Sequence, residues 1–240
     1  MVLLTPGWQA PPYVVAYCTT REGGLSTGDY QGLNVGMHVG DTAHVVAKNR
    51  QSLPNFKKIA WLNQTHSDTV IDLDASSARD GDASVCRTSR FQCAVMTADC
   101  VPVLVFSRSQ KEVAAIHAGW KGLASGIIAK TIDSMLSSAS DLCAWIGPAI
   151  SGKCYEVDLA LAEKFSVYSG AVTQIDRVTK KARLNIPHIA KLQLHDVGVG
   201  EVIMSDMCTY SAPATFFSHR YATHQNKKAT GRMVSVIGLE

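Results

Sequence analysis

Three short stretches of the chain set a soft-metal or nucleophilic side chain beside small or turn-forming residues: Asn63-Gln64-Thr65-His66-Ser67-Asp68, Thr97-Ala98-Asp99-Cys100-Val101-Pro102 and Ala115-Ile116-His117-Ala118-Gly119-Trp120-Lys121-Gly122. Each follows or interrupts an apolar, β-rich run, where side chains from separate strands can converge. Two imidazoles and one thiolate are three of the four positions of a tetrahedral zinc ion, and the open fourth is the mark of a catalytic site. Zinc held by His66, Cys100 and His117 is therefore expected, with copper as a possible substitute. Spacing supports this weakly: Cys100 lies 34 residues after His66 and 17 before His117, and no C-x-x-C or H-x-x-x-H pair supplies a finger-type site. Other readings of the same residues stay open. His66 fits a solvated loop histidine, Cys100 a small buried hydrophobe, and His117, inside an apolar strand, needs a hydrogen-bond partner if it has no metal.

The neighbours extend these alternatives. Asp99 can orient a ligand histidine, accept a proton at the metal, or simply cap a turn. Arg21, Arg220 and Arg232 stand beside small residues, a placement that lets a guanidinium reach phosphate or carboxylate. Gly119-Trp120-Lys121-Gly122 opens a helix whose N–H groups can bind an anion, and Trp120 can stack on a base or pack the helix start. Neither G-x-x-x-x-G-K-[ST] nor a strand followed by G-x-G-x-x-G occurs, so ATP- or NAD-type binding is unsupported. Cys100 as nucleophile, with His117 or His66 as base, describes a thiol hydrolase equally well.

The elements that must position these residues follow from pattern. Strands are expected at 13–19, 59–62, 93–97, 101–106, 113–118, 142–146, 182–186, 201–206 and 233–238. Helices are expected at 42–53 with Asp41 as N-cap, at 123–137, near 158–168, and at 187–197 beginning with Pro187. Pro102 implies a strand start, bulge or edge, and Asp80-Gly81-Asp82-Ala83 marks a loop. Strands and helices interleave without a regular βαβ repeat, which predicts an α+β fold, a mixed β-sheet with flanking helices in a single domain over 1–240.

Composition excludes several classes. With 46% hydrophobic and 18% charged residues the chain is a folded protein, and a net charge of +3, with Lys and Arg scattered, argues against a nucleic-acid partner. No apolar run reaches spanning length, and the start lacks the basic segment and apolar core of a secretory signal, so a cytoplasmic location without membrane contact is expected. The seven cysteines are then expected to be thiols. Nothing in the sequence fixes the oligomeric state.

Read in order, Thr19-Thr20-Arg21-Glu22-Gly23-Gly24-Leu25-Ser26, Leu33-Asn34-Val35-Gly36, Gly40-Asp41, Asn49-Arg50, Gln64-Thr65-His66, Thr97-Ala98-Asp99-Cys100-Val101-Pro102, His117-Ala118-Gly119-Trp120-Lys121-Gly122, Ile146-Gly147-Pro148, Cys154-Tyr155-Glu156-Val157 and Thr230-Gly231-Arg232-Met233 resemble the YfiH family, also called the laccase-domain or multicopper polyphenol oxidase family, over nearly the whole chain. The resemblance implies zinc on His66, Cys100 and His117 and phosphorolysis of adenosine, inosine, guanosine and methylthioadenosine, with adenosine deamination as a further activity. The partners implied are a nucleoside and phosphate. Catalytic roles then fall to Cys100, His117, His66 and Asp99, and phosphate binding to Arg21 and Arg232. Deamination lacks the H-x-E and P-C-x-x-C elements of zinc nucleobase deaminases, so Asp99 or Asp68 would have to serve as acid/base. A likeness of the family fold to a toxin deamidase with a Cys–His pair keeps a Cys100-dependent amidase of peptidoglycan precursors in view. Polyphenol oxidation through a multicopper set would need about ten imidazoles, commonly as H-x-H. The chain has eight histidines and no such pair.

Overall fold

Val101–Ser107 and Val113–Ala118 are buried along their whole length, as expected of apolar runs without a polar face. A computed structural model describing residues 1–240 makes them neighbours at the centre of a six-stranded sheet. In chain order the strands are β1 (Leu3–Leu4), β2 (Val14–Thr19), β3 (Ile59–Ala60), β4 (Val70–Asp72), β5 (Ala83–Cys86), β6 (Gln92–Thr97), β7 (Val101–Ser107), β8 (Val113–Ala118), β9 (Leu142–Ile146), β10 (Glu156–Asp158), β11 (Val172–Asp176), β12 (Lys181–Leu184), β13 (Glu201–Met204) and β14 (Met233–Leu239). The helices are α1 (Ala43–Gln51), α2 (Trp120–Ala124), α3 (Ile127–Asp133), α4 (Leu159–Glu163), α5 (Ile186–Asp196) and α6 (His219–His224).

One sheet runs β13-β9-β7-β8-β5-β4, a second β1-β2-β14-β6-β3, and a small third β10-β12-β11. The two larger sheets are mixed: β3 and β6, β4 and β5, and β9 and β13 pair in parallel, the remaining pairs antiparallel. The fold is α+β, as the interleaving of strands and helices predicts.

The period of two along each strand sorts side chains between layers. Val101, Val103 and Val105 of β7, with Ala114, Ile116 and Ala118 of β8, join Leu123, Ile127, Ile128, Ile189 and Leu194 in a core beneath the helices. Leu104, Phe106, Val113 and Ala115 point the other way and meet Cys93, Val95, Ile237 and Leu239 from the five-stranded sheet. The outer face of that second sheet is covered by Leu33, Val35 and Leu53. His117 falls on the intersheet side, opposite Pro102 in the β7–β8 register. Pro102 is the second residue of its strand, where a missing donor is tolerated.

Several boundaries differ from expectation for local reasons. The helix expected over 123–137 is two helices, because Gly126 adopts φ +80° and ends the hydrogen-bonded run before α3 restarts. α1 begins after Thr42, not Asp41. The Asp41 carboxylate instead takes hydrogen bonds from Ser26 Oγ at 2.6 Å and Asn34 Nδ2 at 2.9 Å, tying the preceding loop. The strand at 59–62 stops at Ala60, and the helix near 158–168 is five residues long. Short strands β4, β5, β10 and β11, and helix α6, had no distinct sequence signal.

Candidate metal centre

His117 is the penultimate residue of β8, where the intersheet core gives way to a cavity, and its burial requires a partner for each ring nitrogen. Nδ1 lies 2.8 Å from Asp82 Oδ1. A carboxylate can only accept, so Nδ1 carries a proton, and in the neutral ring a metal would bind Nε2 is the lone-pair donor. Asp82 is wholly buried at the start of β5. Its oxygens also receive the backbone N–H groups of Thr65, His66 and Ser67 at 3.1, 3.0 and 2.6 Å, and the Ser67 hydroxyl at 2.7 Å. One carboxylate thus orients the ring of His117 and holds the loop that carries His66. Burial would raise the Asp82 pKa, but the bonds from His117 and Ser67 outweigh it and keep the group far below the usual carboxylate range.

His66 adopts φ 62°, in the left-handed region, and the grip of Asp82 on three successive amides compensates the strain of that conformation. The Gln64 side chain continues the β3 edge: its Nε2 donates to Met96 O at 2.8 Å and its Oε1 accepts from Met96 N at 2.7 Å. Cys100 arrives at the crossing from β6 in one sheet to β7 in the other, a turn made by Asp99 at φ 92°. The Asp99 carboxylate accepts from Thr209 Oγ1 at 2.7 Å and Arg220 N at 2.6 Å, and its carbonyl from Ile150 N at 2.9 Å.

These three elements bring the donor atoms of His66, Cys100 and His117 within 4.8 Å of one another, the one such cluster in the chain. Cys100 Sγ stands 3.9 Å from His66 Nε2, and the two imidazole rings meet edge to face at 4.8 Å. In a tetrahedral site with Zn–S of ~2.3 Å and Zn–N of ~2.0 Å the donors stand ~3.3–3.6 Å apart, so small side-chain rotations close the set. Gly119 makes the convergence possible, since a Cβ there would lie 3.1 Å from Cys100 Sγ and 3.2 Å from His66 Cδ2. The residues fit a zinc ion. Without metal, burial would raise the Cys100 thiol, yet the neighbouring His117 and His66 bring it down to about 6. Burial opposes the charge on His117, and Cys100 and Asp82 reverse that and raise it to about 9.

The cluster opens into a cavity of about 380 Å³. His38, Thr97, Trp120, Tyr155, His219, Arg220 and Arg232 share its wall with the three donors and Asp99. Arg232 is largely enclosed; its Nη1 donates to the Thr230 and Gly231 carbonyls at 3.0 and 3.1 Å, which leaves the Nε–Nη2 edge without a partner in the chain.

Three residues weighed from sequence stand elsewhere or are otherwise engaged. Arg21 lies outside this cavity: it donates to Gln31 O and Pro213 O and stacks on Phe217, so it clamps loops rather than facing the cluster. Asp99 does not orient a ligand, because both its oxygens are engaged elsewhere; Asp82 does. Asp68 is paired with Lys130 and is no part of the cavity wall. Sequence reading passed over Asp82 as a loop residue. Nothing local could have found it, because β5 behind it has no distinct pattern and the partners of its carboxylate, Ser67 and His117, lie 15 and 35 residues away.

A family model described as multi-copper polyphenol oxidoreductase laccase matches residues 15–240. Purine nucleoside phosphorylase YfiH of Escherichia coli K12 is 38% identical over 99% of the chain and 98% of its own length. The chain belongs to the YfiH family. Another relative, the purine nucleoside phosphorylase of Pseudomonas aeruginosa, is 36% identical over 99% of this chain and 98% of its own. Among solved structures, a Neisseria meningitidis protein superposes with a TM-score of 0.92 at 40% identity, covering 99% of both chains. YlmD from Geobacillus stearothermophilus gives 0.86 at 29% identity, over 96% of this chain and 94% of that one. No helix of this YfiH-family chain is long and apolar enough to cross a membrane.

Proposed function

We propose that the chain is a zinc-dependent phosphorylase of purine nucleosides, acting on adenosine, inosine, guanosine or methylthioadenosine. One observation carries the reading: three zinc-type donors and an arginine with a free guanidinium edge share one cavity, in a chain whose relatives are named purine nucleoside phosphorylases. Bound zinc supplies a Lewis acid with one open position. Asp82 holds a proton on Nδ1 of His117, which leaves Nε2 as the atom that would face the ion. The free Nε–Nη2 edge of Arg232 matches two phosphate oxygens, and enclosure strengthens that pairing. Attack of a phosphate oxygen at the anomeric carbon breaks the bond to the purine nitrogen, whose electron pair leaves with the base. The base then needs a proton or hydrogen bond. His38 and His219 are the imidazoles of the wall outside the ligand set, and Trp120 and Tyr155 offer flat surfaces for a purine.

The test is to incubate zinc-loaded protein with adenosine, with and without phosphate, and to chromatograph the products. Free adenine that requires phosphate, with phosphate KM raised at least tenfold in Arg232→Met, is the expected result. Inosine would instead mean deamination, and release of adenine without phosphate would sink the phosphorylase reading.

A second reading is favoured by one feature, the Cys100–His117–Asp82 line. A thiolate beside an imidazole held by a carboxylate is also the arrangement of a cysteine hydrolase acting on an amide, such as one in a peptidoglycan precursor. It requires amide cleavage that survives chelation and stops on alkylation of Cys100. Copper can replace zinc at a Cys-containing site, but a single cluster of three donors does not provide the several centres of a multicopper oxidase.

A further inference from the structure

Away from the metal centre, two thiols share one hydroxyl. Cys154 Sγ lies 3.3 Å from Ser211 Oγ, and the same Oγ donates to Cys208 Sγ at 3.4 Å. The Ser151 amide donates to Cys208 Sγ as well, at 3.4 Å. Both sulfurs are partly accessible, whereas Cys18, Cys86, Cys93 and Cys143 are buried. Cys208 faces a second cavity, of about 740 Å³, whose wall includes Lys153, Asp206, Asn185 and Ser205. It does not overlap the lining of the metal-site cavity.

We propose that Cys208 is a thiol–disulfide exchange site for a small charged peptide disulfide seated in this cavity, and that Cys154 resolves the product to a Cys154–Cys208 disulfide. Two donors aimed at one sulfur stabilise a thiolate there. Burial alone would raise the Cys208 thiol, and its bonds with Ser151 and Ser211 instead bring it down to about 7, near the optimum for exchange at neutral pH. By contrast burial pushes Cys18 up to about 11, and burial with Glu201 nearby pushes Cys143 up to about 12. The wall carries a cation and an anion, Lys153 and Asp206, which suits a zwitterionic peptide thiol better than an apolar electrophile. In the first step Cys208 S⁻ attacks one ligand sulfur; the ligand's S–S bond breaks, and the released thiolate takes the proton that Cys208 gave to solvent. In the second, deprotonated Cys154 attacks Cys208 Sγ and expels the second small thiol. Two protein thiols are oxidised, and one small disulfide is reduced to two thiols. Ser211 Oγ must swing aside, because a disulfide needs S–S of ~2.05 Å.

Both cysteines adjoin the metal-site wall in sequence: Tyr155 follows Cys154, and Thr209, which bonds Asp99, follows Cys208. The full zinc-loaded chain, with Cys100 thereby protected, is incubated with oxidised glutathione, quenched with acid and N-ethylmaleimide, and mapped by mass spectrometry without reduction. Expected are a Cys154–Cys208 linked peptide in the wild type and a trapped glutathione adduct on Cys208 in Cys154→Ser, formed at least tenfold faster than at any other cysteine. First modification at Cys154 or Cys100, an adduct on wild-type Cys208 that never resolves, or Cys208 reacting no faster than free glutathione overturns the proposal. The linked Cys154–Cys208 peptide is read from the wild type alone, so failure of the variant to fold leaves that outcome decisive.

Discussion

At the scale of single residues, Asp82 is the position on which the candidate metal centre turns, since it holds His117 directly and the loop of His66 through three amides. Asp82→Asn keeps the shape and removes the anionic acceptor. Zinc affinity is expected to fall about 10- to 100-fold, measured by competition with a chromophoric chelator; unchanged affinity would remove Asp82 from the site. The Cys100–His117 pair sets a pH profile for the metal-free protein. With Cys100 at about 6, its alkylation by iodoacetamide should be nearly flat from about pH 7 to 8.5 and fall below about pH 6, whereas an ordinary thiol of pKa about 8.5 gains roughly 16-fold between about pH 7 and 8.5. Stability follows the same two groups. His117, raised to about 9, contributes fully below the unfolded imidazole value of about 6.5 and loses this as pH rises through about 9. Cys100, lowered to about 6, contributes above the unfolded thiol value of about 8.5 and loses this as pH falls through about 6. The thermal midpoint of metal-free protein should therefore peak between about pH 6 and 9 and fall on either side, and a monotonic profile would show that the pair is not ionised.

At the scale of elements, short pieces are held by polar side chains rather than by their own propensity. Asn49 on α1 accepts from Leu25 N at 2.8 Å and donates to Ser26 Oγ at 3.0 Å and Asn34 O at 2.8 Å, pinning the Gly-rich loop to the helix. Asn49→Ala leaves those buried partners unsatisfied, and a loss of about 2–3 kcal/mol is expected, read from urea denaturation with an unchanged slope. A loss below about 0.5 kcal/mol would place it among ordinary surface changes. The long apolar strands β6, β7, β8, β9 and β14 were legible because burial on both faces writes continuous apolar runs. β4 and α6 were not, being three and six residues whose positions depend on neighbours far away in the chain.

At the scale of the molecule, three apolar layers over two sheets form a core that does not include the ligands. Ninety of 240 residues are buried, so folding should not require the ion. Chelation is expected to leave the far-UV circular dichroism intact and to lower Tm by about 5–10 °C, the effect of removing zinc held at about 100 times its Kd from a chain of this size. Unfolding on chelation would make the metal a structural clasp. The sequence by itself determined the donor types, the strands that deliver them and the α+β class, because residue chemistry and hydrophobic period are local properties. Only the tertiary structure decided that Asp82 and not Asp99 orients His117, and that Arg232 shares the cavity while Arg21 does not. Those outcomes depend on strand register and on loop closures spanning many residues, where a shift of one position turns a side chain to the opposite face.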